Sequence, residues 1–159
     1  MPETIAQLRE NLDSARAHLN TVLDAATDHP DAQVYSDGLQ WNVRQIAVHL
    51  SDADRGHNNQ IMAFAEGRDI IPEDFDIERY NKRVTEKRAE MTLAEARAAL
   101  HESRAALNAW LDTLDESTLD KTGRHASLRI LSIREVLQWM ALHERQHADD
   151  ISSALKITA

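Results

Sequence analysis

Apolar residues along the chain fall into four separate stretches that step by three and four, the period of an amphipathic helix. The first carries Ile5, Leu8, Leu12, Ala15, Leu19 and Val22, and the DHPD run from Asp28 stops it. The second carries Val43, Ile46, Ala47, Leu50, Ala53, His57, Ile61 and Phe64 and breaks before Gly67 and Pro72. The third holds Leu93, Ala96, Leu100, Ser103, Leu107, Trp110 and Leu114, and the fourth runs Ile133, Val136, Leu137, Met140, His143, His147, Ile151 and Leu155. Each opens with a polar residue followed three positions later by Glu or Gln: Thr4/Gln7, Asn42/Gln45, Thr92/Glu95 and Ser132/Glu135. At that spacing the two side chains satisfy backbone N–H groups that a helix start leaves without partners. Four helices of roughly 22–24 residues, about 33–36 Å long, predict an all-α four-helix bundle forming one domain over residues 1–159.

The links between these helices are unequal. About 15 residues join the first two, about 25 the second and third, and about 17 the last two, against a usual 2–8 in bundles. Residues 67–91 are long enough to travel the length of the bundle, which lets the second and third helices run parallel. Within that crossing, IERYNKRVTEKRAE forms a short irregular helix.

Composition narrows the chemistry. There is no cysteine, so disulfides, thiolate metal sites and a cysteine nucleophile are excluded, and any metal must be held by His, Asp or Glu. Lys and Arg number 18 against 27 Asp and Glu, a net charge of −9 with no basic tract, which disfavours a nucleic-acid partner. No apolar run reaches membrane-spanning length, and the acidic opening MPETIAQLRE lacks the pattern of a signal peptide. The expectation is a cytoplasmic protein with no membrane partner.

Among eight histidines, His143 and His147 lie about 40° apart on the helical wheel, inside the stripe shared by Met140, Val136 and Ile151. Two neutral imidazoles facing a core need partners for their ring nitrogens. A divalent ion would satisfy both; the alternative is a pair of core histidines hydrogen-bonded to facing polar residues. His49 is the third ligand candidate. It lies about 10 Å into its helix, while His147 and His143 lie about 12 and 18 Å from the end of theirs, so antiparallel second and fourth helices bring all three level. His57 is about 12 Å further along, too far to share the ion, and reads as a satisfied core histidine. His18, His29, His101 and His125 have no partner at ligand spacing and read as surface residues.

These residues resemble the DinB-like family of four-helix metalloproteins. The matching pieces are WNVRQIAVHL with His49, FDIERYN in the crossing, and SIREVLQWMALHERQHADDI with His143 and His147. The resemblance implies an up-down-down-up order and one divalent ion, most often zinc or nickel, on three residues with positions left open. Family members of known activity are transferases or isomerases dependent on a small thiol (mycothiol, bacillithiol or glutathione), and many members are homodimers. Since the chain has no cysteine, the thiol would be a cosubstrate meeting an electrophile at the ion. A metal-dependent hydrolase, or a non-catalytic metal- or ligand-binding bundle, would use the same three ligands.

The run His143-Glu144-Arg145-Gln146-His147 also matches the H-E-x-x-H signature of zinc proteases. Only 12 residues follow His147, with neither Gly nor His among them, and no strand-like stretch precedes, which argues against that class. Glu144 points about 60–100° from the two histidines, so it reads either as a base or supporting group beside the ion, or as a core-edge acid paired with an arginine. Trp41 reads as a staple at its helix start. Asp76 and Asn81 match the resemblance and lie either toward the metal end or in a solvated loop. Arg124 and His125 are expected at the end of the last helix away from the ion, and Trp110 and Trp139 in a core or interface.

Overall fold

The computed structural model describes residues 1–158. Helices α1 (Ile5–Ala25), α2 (Val43–Ala65), α4 (Leu93–Leu111) and α5 (Ile133–Leu155) are the four expected long elements, and α3 (Ile77–Lys87) is the short helix of the crossing. The caps behave as their spacing dictates. Thr4, Asn42 and Ser132 each close a reciprocal box with Gln7, Gln45 and Glu135, and the Thr92 hydroxyl accepts from the Glu95 N–H. A five-residue 3-10 turn, Glu116–Asp120, leads into a hairpin of β1 (Thr122–Arg124) and β2 (Ile130–Ser132), paired antiparallel with Gly123 opposite Leu131. This corrects the expectation that nothing strand-like precedes the last helix. Three-residue strands are too short for an alternation signal to emerge from the sequence.

Contacts fix how the helices meet. From α2 to α4 they climb together: Arg44 donates to the Met91 carbonyl at 2.9 Å and Asn58 to the Ser103 carbonyl at 2.9 Å. From α1 to α5 they also climb, from Glu3 with Gln138 to His18 with Asp149. From α1 to α4 they descend, from Arg9 with Asp112 to Asp24 with Arg97.

The core comes in two pieces. One gathers Leu19, Val22, Val43, Ile46, Ala148 and Ile151; the other gathers Leu8, Leu12, Ile61, Phe64, Ile133 and Leu137. So α2 shares its first half with the end of α5 and its last half with the beginning of α5. Between the two pieces lies a buried layer of charge. Arg104 pairs with Asp54 at 3.3 Å and Arg16 with Glu144 at 2.8 Å, and Arg16–Asp54 and Arg104–Glu144 approach within 3.5 Å. Two cations and two anions cancel there, which is the condition for keeping charge in a low-dielectric interior. The hairpin is held tightly against α2. At Gly123 a Cβ would overlap the Phe64 ring, so only glycine allows this approach.

Candidate metal centre

The capping of α2 at Asn42 and of α5 at Ser132 sets the axial position of every residue that follows, and with it the height of His49, His143 and His147. Their Nε2 atoms converge: His49 to His143 is 3.2 Å and His147 to His143 is 3.1 Å. One ligand atom from each lies within 4.8 Å of the other two. Nitrogens about 2.0–2.1 Å from one ion stand about 3.3 Å apart at tetrahedral angles, so the trio fits a divalent cation with little movement.

The hydrogen bonds support the same fit. The Tyr35 hydroxyl donates to Asp150 Oδ2 at 2.5 Å, so its oxygen accepts from the Nδ1–H of His147 at 2.8 Å. That fixes the tautomer of His147 and leaves its Nε2 lone pair aimed at the shared point. A single proton on His143 Nε2 cannot serve both close contacts; a cation at their centre does. Burial holds all three imidazoles neutral, with His49 pushed down to about 3 and His147 to about 4, and His143 is lowered in the same way. Neutral imidazole is the ligating form. Burial and the Asp150 carboxylate together push the Tyr35 hydroxyl up, so it remains a phenol at neutral pH.

Two indoles brace the trio. Trp41 stacks on His49 with centroids 4.4 Å apart, and Trp139 on His143 at 5.2 Å. Trp41 therefore does more than staple its helix start, and Trp139 faces the site. Both line a cavity of about 630 Å³ that also contains Phe75, Ile77, Tyr80 and Asn81 from the crossing. Asp76 stays exposed at the start of α3, which it caps by accepting from the Arg79 N–H at 3.1 Å, whereas half-buried Asn81 lines the cavity from that helix. Tyr80 donates to Asp52 at 2.9 Å and Trp41 to Thr85 at 3.1 Å, which ties α3 across the cavity.

His125 is a correction. It is buried, and the hairpin carries it into the same cavity, where its Nε2 sits 2.8 Å from that of His57. The backbone N–H of Ser127 donates to His125 Nδ1 at 3.1 Å, so His125 carries its proton on Nε2 and donates it to His57. His57 is thus a satisfied core histidine. Burial pushes both down to about 4. His29 and His101 are exposed, while half-buried His18 pairs with Asp149 at 2.8 Å.

Glu144 is buried and turned toward the ionic layer. Its Oε1 accepts from Arg16 Nε at 2.9 Å, and among the described residues it makes no hydrogen bond to the three histidines. It does border a small space of about 10 Å³ shared with His143, His57 and Asp54. Tyr35 and Asp150 escaped the sequence reading, although Asp150 stands three residues after His147 on the same helical face.

The fold and the trio define a helical bundle with a site that can hold a metal ion. A family model for the DinB superfamily matches residues 11–151, and the chain belongs to that superfamily. Its fold is similar to that of three solved structures. An uncharacterised protein from Escherichia coli UTI89 has a TM-score of 0.76 at 13% identity, covering 100% of this chain and 98% of that one. An uncharacterized protein from Clostridium difficile 630 scores 0.70 at 13% identity, covering 100% and 99%. A protein from Streptococcus pneumoniae scores 0.70 at 15% identity, covering 100% and 94%. No curated protein matches the sequence significantly. No helix among the described residues is long and apolar enough to cross a membrane.

Proposed function

We propose that this chain is a divalent-metal-dependent enzyme that activates a small thiol for transfer to, or isomerisation of, an electrophile in the cavity. The observation that carries the reading is the convergence of three neutral Nε2 atoms, one with its tautomer fixed by Tyr35, at the wall of a 630 Å³ cavity. An up-down-down-up helix order is part of the same reading, supported by the climbing α2–α4 contacts and the divided core.

A bound divalent ion supplies one thing: it lowers the pKa of a coordinated thiol, so that thiolate is present at neutral pH. The chain's own residues do the rest. His49, His143 and His147 would hold the ion at the cavity wall. Tyr35 and Asp150 keep His147 oriented. Trp41 and Trp139 fix the other two rings and exclude water from that side. We assign Glu144 a supporting place beneath His143, because Arg16 and Arg104 already engage its carboxylate.

The test incubates zinc- or nickel-loaded protein with monochlorobimane and each of several small thiols, beside a panel of esters and amides. Thiol conjugation that disappears in His49→Ala is the expected result. Hydrolysis without any thiol would replace this reading with the hydrolase one.

A further inference from the structure

The cavity beside the histidine trio is large, but almost nothing in it can meet a second charge. Its walls are Trp41, Ile70, Ile71, Phe75, Ile77 and Trp139, with polar contributions from Asn59, Gln60, Asn81 and Ser127. Among the described residues that line it there is no Lys and no Arg. One carboxylate reaches it, Asp52, and that group is already engaged. Oδ2 accepts from Tyr80 at 2.9 Å and Oδ1 from Arg55 at 3.2 Å, so it is available neither to hold a ligand cation nor to be displaced cheaply. The His57–His125 pair also lines the cavity, and its facing nitrogens share one proton and offer no charge. The whole chain carries −9, which repels anions before they arrive.

From this we infer that the site selects ligands that bring one anionic atom to the ion and are otherwise uncharged: a thiol whose body carries hydroxyl or amide groups, not one bearing free carboxylates. This rests on the thiol reading above and narrows it. The ion neutralises the sulfur. A carboxylate on the ligand's tail would leave water for an apolar wall with no cation to receive it, a loss that grows with burial. Amides and hydroxyls suffer no such loss, because Asn59, Gln60, Asn81 and Ser127 can exchange hydrogen bonds with them. Gln60 is well suited to this: it is 5% exposed, and its side-chain oxygen finds no partner within the protein.

The experiment uses cobalt-loaded protein and reads the thiolate-to-cobalt absorption band during titration with N-acetylcysteinamide and with N-acetylcysteine, which differ by one charge. The amide should bind at least tenfold more tightly, about 1.4 kcal/mol. Exposed Asn59, changed to Arg, puts a cation on the wall and should narrow that gap at least threefold; Ile70→Lys does the same from the crossing if the first variant folds poorly. Comparing one ligand pair across the proteins removes the difference in intrinsic thiol acidity. Equal affinities in the unaltered protein, or a gap that neither basic variant narrows, would overturn the inference. If neither thiol produces the band, the thiol reading itself fails. Two hydroxamates, one ending in an amide and one in a carboxylate, then test the charge preference alone, and equal binding or no binding of that pair overturns it.

Discussion

Two groups of imidazoles face one cavity, and they behave as opposites. In the pair His57–His125, every hydrogen-bonding demand closes within the protein: the Ser127 N–H reaches His125 Nδ1, and His125 donates on to His57. In the trio only His147 has an outer partner, Tyr35 backed by Asp150, and the inner nitrogens crowd together at 3.1–3.2 Å, where the one proton His143 Nε2 can carry cannot serve both neighbours. The pair is buried and the trio half-buried, yet desolvation lowers the pKa values of both, so titration does not separate them. What separates them is what remains after the hydrogen bonds are counted. A group that balances itself is architecture, and a group whose nitrogens converge without a proton for each contact is one that could hold a cation.

The largest effect expected from this contrast is on metal content. His147→Ala should lower affinity for a divalent ion by more than about 100-fold, because two imidazoles rarely hold one against water, whereas His57→Ala should leave the metal-to-chain ratio unchanged. Elemental analysis after dialysis at fixed metal concentration reads both, and metal lost equally from the two variants would erase the distinction. A smaller effect belongs to the group behind the trio. Tyr35→Phe keeps the ring but removes the oxygen that accepts from His147, and affinity should fall about 10- to 100-fold, measured by competition with a chelating dye. An unchanged affinity would show that His147 needs no orienting partner.

The smallest effect is shared by both groups in metal-free protein. Their folded pKa values lie near 3–4, below the ordinary 6.5, so the unfolded chain takes up protons first as pH falls. Stability is complete above about pH 6.5 and is lost progressively down to about pH 4, where the folded protein also protonates. Urea midpoints across that window should show the decline. Excess metal should restore only the trio's share of it, and complete restoration would mean that the pair contributes nothing.

The long helices and the trio were legible because both depend on local periodicity. A capping residue sets where a helix begins, 1.5 Å per residue sets the depth, and the distance from Asn42 to His49 could be compared with that from the C-terminal end of α5 to His147. His125 was illegible for the converse reason. Its partner His57 lies 68 residues away in sequence, on another element, and a hairpin of three-residue strands brings them together. The same limit hid Tyr35, which sits in the α1–α2 link and reaches the metal centre only through tertiary structure. The ionic layer was half visible: an acid at position 144 inside an apolar stripe demands a cation, but nothing local said that the cations would be Arg16 and Arg104.

Gly123 is not among the residues that line the cavity, yet it sets how closely the hairpin that leads to His125 rests on α2. The missing side chain lets β1 rest on Phe64, and just past the end of that strand His125 meets His57. Even one methyl group at position 123 would act as a wedge, lifting the hairpin from α2 and drawing His125 away from His57. The meeting of His57 and His125 thus hangs on one small residue that is neither of them and stands outside the cavity wall.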